Sequence, residues 1–234
     1  MDAINMHPSI KCLHEPFNPE NEDTQYHAIT SRKELVQALG EIYACYDGIK
    51  HVFDPGGWPF DNGSRLNIDL LTCGPRVVLM RRQNVLRRLV SLEICRQTNA
   101  YTIFKLWPII RGKKFRFDPL DKDAIRIGLE DDMSWHTRVN EELESKGIPR
   151  FEVTYERLFD PDVDNKARMA AINEVFRFLD KPELRTERLP IGGIHQVLSP
   201  AHKVLNKEVY DAIPAIEEIE MEFGSDSTGW LFRQ

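Results

Sequence analysis

The spacing of apolar residues changes within residues 76–99, and this change predicts a strand that leads directly into a helix. Residues 77–80 (VVLM) form a short continuous apolar run, which is typical of a strand buried on both faces of a parallel sheet. From Val85 onward apolar residues recur every three or four positions with arginines between them, as in an amphipathic helix. Arg81 and Arg82 therefore lie between the carboxyl end of a strand and the start of a helix.

The same spacing predicts further elements on both sides of this pair. Short strands are predicted at residues 10–13, 49–53 and 151–155, and helices at residues 67–71, 121–147, 165–179 and 207–222. Ser31 and Glu34 form a capping box that starts another helix, and Gly48 ends it. Because strands alternate with helices, the pattern predicts an α/β fold, a parallel sheet with helices on both faces.

Length and composition predict a single domain. The chain has 234 residues, enough for one domain over residues 1–234, with a helical elaboration at about residues 121–147 and C-terminal helices within 165–222. No apolar run approaches the ~20 residues of a membrane span, and the first residues do not predict a secretory signal. Four cysteines without metal-ligand spacing are predicted to be buried thiols, so we expect a reducing, cytoplasmic location; they are Cys12, Cys45, Cys73 and Cys95.

Charge is distributed unevenly along the chain. The formal net charge of -6 argues against general nucleic-acid binding. Basic residues nevertheless cluster in a segment whose main acid is Glu93: Arg76, Arg81, Arg82, Arg87, Arg88, Arg96, Lys105, Arg111, Lys113, Lys114 and Arg116. A local basic site in an acidic protein suits a small polyanionic ligand.

The strand end and helix start around Arg82 form the candidate site for that ligand. Open α/β sheets bind anions there, because the first helical N–H groups are unpaired and the dipole end is positive. Ser91 lies about two turns further along the helix, so strand, arginine, helix and serine together could clamp one phosphate. The alternative is that the arginines form a solvated collar around a buried strand and that Ser91 is a surface residue.

Four motifs in order resemble the sulfotransferase family between His7 and about Leu158. They are H-P-x-I-x-C-L-x-E-P-F-N, G-I-K, V-V-L-x-R-R-x-N-V-L-R-R-L-V-S and V-x-Y-E-x-L. The resemblance implies a P-loop NTPase-like sulfotransferase fold, 3′-phosphoadenosine 5′-phosphosulfate as sulfuryl donor, no metal, and a small-molecule or carbohydrate acceptor. By the same resemblance Arg82 and Ser91 hold the 3′-phosphate of the donor, with Arg81 as the alternative to Arg82.

The resemblance also implies catalytic residues. Sulfuryl transfer needs a base for the acceptor and positive charge near the leaving oxygen. Glu15, which follows a strand and precedes Pro16, is implied as the base; the alternative is a structural glutamate that caps the loop. Lys50 is expected to contact the transferring group.

Two histidines are weighed against these residues. Adjacent strand residues face opposite ways, so only one of His14 and Glu15 is expected to face the cleft. His51 directly follows Lys50 and is expected to face away as a packing or supporting residue. His136 and His195 are expected to be surface or packing residues.

The chain departs from the family pattern at its start. Family members begin with a strand and a glycine/serine-rich loop that holds the 5′-phosphosulfate. This chain begins within the following helix, so the first strand and loop are expected to be missing, and no GxxxxGK[ST]-like stretch replaces them.

Three hypotheses follow from the motifs and this departure. The first is a sulfotransferase, whole or N-terminally truncated. The second is a catalytically degenerate relative that acts as a nucleotide-binding or protein-interaction module. The third is an unrelated P-loop-like kinase or nucleotide-binding protein. The acceptor group stays open between a hydroxyl and an amine. The oligomeric state also stays open, with a homo-oligomer among the alternatives.

Overall fold

The computed structural model describes residues 3–26, 28–54, 56–60, 65–100, 105–106, 108–109, 115–185 and 207–232. Strands and helices alternate along the chain, which confirms the predicted α/β class. The strands are β1 (Cys12–His14), β2 (Gly48–Lys50), β3 (Val77–Arg81) and β4 (Arg150–Thr154). The helices are α1 (Arg32–Tyr43), α2 (Leu66–Cys73), α3 (Val85–Thr98), α4 (Lys122–Ser145), α5 (Tyr155–Phe159), α6 (Asn165–Phe178), α7 (Lys207–Asp211) and α8 (Ile216–Phe223).

Among the described residues the strands form two separate two-stranded sheets, so the prediction of one parallel sheet is wrong there. β1 runs parallel to β2, with Cys12 opposite Gly48 and His14 opposite Lys50. β3 pairs with β4, and the Val77 amide donates to the Pro149 carbonyl at 3.0 Å. The spacing of apolar residues identified the strands. Which strands pair depends on contacts between segments remote in sequence, and a local pattern does not encode those contacts.

β3 is less buried than its apolar run predicts. Val77 is buried, but Met80 is 55% exposed. A two-stranded sheet covers its strands less completely than a large parallel sheet with helices on both faces. Burial of the whole run on both faces is therefore a wrong prediction.

The helix predictions are confirmed where capping signals are present. The Ser31 side chain accepts from the Glu34 amide, and the Glu34 carboxylate accepts from the Ser31 amide, which starts α1. The predicted helix over residues 207–222 is instead broken into α7 and α8. Pro214 lies at the break and lacks an amide hydrogen, and Ala215 has a φ of 54°, so a continuous helix cannot pass through them.

The chain packs as two compact units, each assembled from three stretches of sequence. The first unit comprises Met1–Leu79, Trp135–Val153 and Asp162–Leu198, and the second comprises Met80–Ser134, Thr154–Pro161 and Ser199–Gln234. In the first unit one core cluster contains buried residues of α1 and α2 together with Phe17, and another contains Val77 and Leu143. In the second unit one large cluster joins α3 to residues of α8, with Leu86, Val90 and Ile219 among its members.

Some predictions about single residues are corrected or fall outside the described ranges. All four cysteines are free thiols, but only Cys95 is buried and Cys45 is exposed, so uniform burial is wrong. Within the ranges given above, no helix is both long enough and apolar enough to cross a bilayer. The predictions for His195 and for the basic residues Arg111, Lys113 and Lys114 lie outside the described residues.

Candidate functional site

In the first unit Glu15, Lys50 and His14 converge at the ends of β1 and β2. The register places His14 opposite Lys50, and the Glu15 amide donates to the Lys50 carbonyl at 2.9 Å. Lys50 Nζ lies 2.7 Å from Glu15 Oε1 and 3.0 Å from His14 Nε2. A carboxylate, an ammonium group and an imidazole therefore form one cluster.

His14 and Glu15 both reach Lys50, so the expectation that only one of them faces the cluster is wrong. The cause is the backbone of Glu15, which has a φ of 44° in the left-handed region. Side chains alternate between faces only while the chain stays extended, and β1 ends at His14. The turn at Glu15 brings its carboxylate to within 3.8 Å of His14 Nε2.

The polar loop after Pro16 holds Glu15 in this conformation. The Asn18 side-chain amide donates to Glu15 Oε2 at 2.8 Å, and Asn21 donates to the Glu15 carbonyl at 3.1 Å. Burial by itself raises the pKa of Glu15, but hydrogen bonds from Lys50 and Asn18 and the charges of Lys50 and His14 outweigh it. The pKa of Glu15 is therefore lower than usual, and the carboxylate is ionised at neutral pH.

His51 is a packing residue, as predicted. Its Nε2 lies 2.7 Å from Asn67 Oδ1, and its ring stacks on Phe53 with 5.6 Å between centroids. The Asn67 amide nitrogen donates to the Gly57 and Trp58 carbonyls, so Asn67 Oδ1 is the acceptor and His51 Nε2 carries the proton. Burial lowers the pKa of His51 despite this hydrogen bond and the Glu15 charge.

In the second unit the start of α3 is already occupied by protein acceptors. The Glu156 carboxylate accepts from the Gln83 and Asn84 amides at 3.0 and 3.1 Å. The Asn84 side chain caps the helix by accepting from the Arg87 amide, and the Leu86 amide donates to the Thr228 carbonyl. The prediction that unpaired N–H groups here receive the anion is therefore wrong.

The C-terminal tail, residues 224–232, supplies further acceptors to this turn. The Asn84 side-chain amide donates to the Trp230 carbonyl at 2.7 Å, and the Arg87 guanidinium donates twice to the Leu231 carbonyl. Gly229 lets the tail approach, since its φ is 90° and a Cβ there would meet the Asn84 side chain at 2.4 Å. The tail therefore closes the strand-to-helix turn.

Arg82 lies immediately after β3 and has no acceptor among the described residues. Its guanidinium carbon lies 4.8 Å from the centre of the Tyr155 ring, and its buried Nε has no hydrogen-bond partner. Burial lowers the pKa of Arg82, and the neighbouring Tyr155, Glu156 and Tyr210 partly offset this. An arginine stays charged in proteins, so Arg82 is a half-buried cation whose Nε–H lacks an acceptor.

The other two predicted phosphate ligands differ from Arg82. Arg81 is the last residue of β3 and is half-buried. Ser91 lies half-buried on α3, and within the described ranges no hydrogen bond joins its hydroxyl to Arg82. The structure thus does not bring Arg82 and Ser91 into one hydrogen-bonded group.

Three residues around Arg82 had no assigned role in the sequence. Tyr155 ends the predicted strand 151–155 and Glu156 follows it, both in the Y-E-x-L motif, and this position at a strand end is the signal that could have identified them. Tyr210 carried no local signal, because it is remote from Arg82 and Arg87 in the sequence. Only tertiary packing brings it close enough for both arginines to act on it electrostatically.

Comparison of the chain with protein-family models, curated proteins and solved structures gave no match. Among the described residues, no group of three or more His, Cys, Asp or Glu side chains is arranged to hold a metal ion. The predicted catalytic residues belong to the first unit and the predicted donor-binding residues to the second. Function is therefore argued from the sequence motifs and from each cluster separately.

Proposed function

We propose that this protein is a sulfotransferase with a P-loop-like sulfotransferase fold. It transfers a sulfuryl group from 3′-phosphoadenosine 5′-phosphosulfate to a hydroxyl or amine of a small-molecule or carbohydrate acceptor. The observation that carries the proposal is Arg82, whose buried Nε has no hydrogen-bond acceptor among the described residues. A buried donor without an acceptor is unfavourable, so a bound anion is the natural acceptor.

The Glu15 cluster supplies the groups that the transfer needs. The donor, when bound, supplies an activated sulfuryl group attached through a phosphate oxygen. Glu15 is ionised and takes the proton of the acceptor, while Lys50 provides positive charge for the oxygen that leaves sulfur. His14 contacts the same Lys50 ammonium group and helps to orient it.

The contact between Glu15 and Lys50 also sets the state of the base. With Lys50 at 2.7 Å, Glu15 is a weak base, because its ionised form is stabilised. An anionic group that attracts Lys50 away from Glu15 makes the carboxylate more basic. The acceptor proton is therefore taken most readily when a negative group lies beside Lys50.

A second candidate is a nucleotide-binding relative without transferase activity. It is favoured by the lowered pKa of Glu15, which makes this carboxylate a weak base. Both candidates require Arg82 to bind a phosphate, so nucleotide binding alone does not separate them. A transfer assay does.

Nucleotide binding is the first test. Adenosine 3′,5′-bisphosphate should bind at least about tenfold more tightly than adenosine 5′-monophosphate, because one charge-assisted contact contributes ~1.5–3 kcal/mol. Arg82→Gln should remove this preference in calorimetric titrations. Arg96→Gln, on the exposed side of α3, should keep it. Equal affinities of the natural chain for the two nucleotides would remove the main support for the proposal.

Sulfuryl transfer is the second measurement. The protein is incubated with donor labelled in its sulfuryl group and with a panel of phenols, amines and sugars. Labelled product that depends on Glu15 supports the transferase. Nucleotide binding without product from any acceptor class favours the degenerate relative.

A further inference from the structure

Tyr210 places a hydroxyl without a hydrogen-bond partner in the core of the second unit. Its side chain is 6% exposed, and its hydroxyl oxygen is buried without a hydrogen-bond partner among the described residues. The ring packs edge-on against Phe232 at 5.6 Å and belongs to the same core cluster as Leu86 and Leu231. Packing therefore holds the ring firmly while its hydroxyl lacks an acceptor.

Charged groups of both signs surround Tyr210. Arg87, Arg82 and the Glu220 carboxylate act on its hydroxyl electrostatically, and Arg87 donates to the carbonyl of Leu231, the residue before Phe232. Burial raises the pKa of Tyr210 to about 12, although the two arginines lower it. The hydroxyl consequently keeps its proton at physiological pH and can act as a hydrogen-bond donor.

The acceptors around Arg82, Arg87 and Tyr210 are already engaged. The Glu156 carboxylate accepts from two backbone amides, the Glu220 carboxylate accepts from the Leu231 and Phe232 amides, and the Leu231 carbonyl accepts from Arg87. Arg82 Nε and Tyr210 Oη are each buried without a hydrogen-bond partner in the described part of the chain. Buried donors are satisfied in almost all native structures, so each of the two calls for an acceptor that the described residues do not provide.

We propose that Tyr210 is the second donor of the oxyanion site at Arg82, and that its hydroxyl binds the same phosphate group as the Arg82 guanidinium. This inference rests on the proposed function, in which the group is the 3′-phosphate of the donor nucleotide. It gives Tyr210 the hydroxyl role that the sequence motif had suggested for Ser91. Arginine supplies the charge and tyrosine a neutral donor of fixed position.

Tyr210→Phe tests the inference because it removes only the hydroxyl and keeps the ring. Thermal unfolding and calorimetry are measured with inorganic phosphate and with adenosine 3′,5′-bisphosphate. Affinity for both should fall about tenfold or more, as for loss of a hydrogen bond to a charged group. Without ligand the variant should be as stable as the natural chain or more stable, since a buried unsatisfied hydroxyl is gone. A hydroxyl with a purely structural role would instead make the variant less stable.

Two control variants separate this inference from the proposed function. Tyr46→Phe removes a tyrosine hydroxyl in the first unit and should leave both affinities unchanged. Arg82→Gln should weaken both ligands. If Arg82→Gln weakens them and Tyr210→Phe does not, the role of Tyr210 is overturned and the Arg82 site stands.

The choice of ligand gives the remaining outcomes. If inorganic phosphate binds through both residues but the two adenosine nucleotides bind equally, the inference stands and the proposed function fails. If neither phosphate nor the bisphosphate stabilises the natural chain, the oxyanion site itself is overturned, and Tyr210 loses its role with it.

Discussion

Glu15 adopts a left-handed backbone conformation that non-glycine residues seldom use. Such a conformation costs of order 1 kcal/mol and persists only where surrounding contacts hold it. Here the Lys50 carbonyl and the Asn18 and Asn21 side chains provide those contacts. Strained residues of this kind cluster at functional sites, and Glu15 places a half-buried carboxylate beside a lysine.

Glu15→Gln should separate catalysis from packing at this cluster. In an active preparation it should reduce turnover by ~10²–10⁴, the usual contribution of a general base. His51→Ala should instead lower the free energy of unfolding, because it removes ring contacts and the Asn67 hydrogen bond, with turnover nearly intact. Turnover at saturating donor and nucleotide affinity are measured for both variants. Loss of turnover in His51→Ala alone would show that the base has been misassigned.

Glu15→Gln should also change how the free energy of unfolding depends on pH. The folded-state pKa of Glu15 is lowered, so its ion pair stabilises the protein above the ordinary glutamate pKa. That contribution disappears as the pH falls from there through the lowered folded-state value. The stability difference between the natural chain and Glu15→Gln should therefore be largest near neutral pH and vanish in acid. A constant difference in urea unfolding across this range would contradict the ion pair.

At the scale of elements, the junction of β3 with α3 is closed by two remote segments. Glu156 at the start of α5 accepts from the turn amides, and the tail carbonyls accept from Leu86, Asn84 and Arg87. These contacts pair the N–H groups at the start of α3 with acceptors of the protein itself. The Arg82 Nε–H has no such acceptor among the described residues. The tail therefore belongs to the packing of the strand-to-helix turn.

Gly229 and Gly40 provide a matched pair for testing the tail. Gly229→Ala should destabilise the protein by roughly 1–3 kcal/mol, because φ is 90° and the new methyl would meet Asn84 at 2.4 Å. Gly40→Ala, inside α1 with no atom within 4 Å, should stabilise it by roughly 0.5–1 kcal/mol. Denaturant unfolding measures both. Equal effects of the two substitutions would mean that the tail does not close the turn.

At the scale of the whole molecule, the two units share continuous elements of the chain. The unit boundary falls within β3, after Leu79, and within α4, after Ser134. A helix forms and melts cooperatively along its length. Unfolding of the residues in one unit is therefore expected to be coupled to unfolding of those in the other.

Hydrogen exchange can measure this coupling. Peptides that cover α1, in the first unit, and α3, in the second, should report the same free energy of unfolding as denaturant is added. Peptides that lie outside the core clusters should exchange earlier through local opening. A lower free energy for α3 than for α1, without convergence, would show that the units unfold independently.

Local patterns in the sequence determined the elements and most of their ends. The Ser31–Glu34 box, the change of period before Val85 and the glycine at position 147 act through contacts only a few residues apart, so they can be seen without the fold. The break at Pro214 has an equally local cause, and proline chemistry accounts for it. The sequence also marked Glu15, Lys50 and Arg82 through motifs at strand ends.

Tertiary structure alone decided how these residues are used. Arg81 and Arg82 are alike in sequence, but it is Arg82 whose guanidinium lies over the Tyr155 ring and whose pKa is lowered by burial. The left-handed turn at Glu15 brought His14 to the same lysine, against strand alternation. Tyr210, on α7, acts electrostatically on Arg82 although the two are remote in sequence, and strand pairing produced two small sheets. Each of these outcomes depends on contacts between remote segments, which periodicity and propensity do not encode because they act over a few residues.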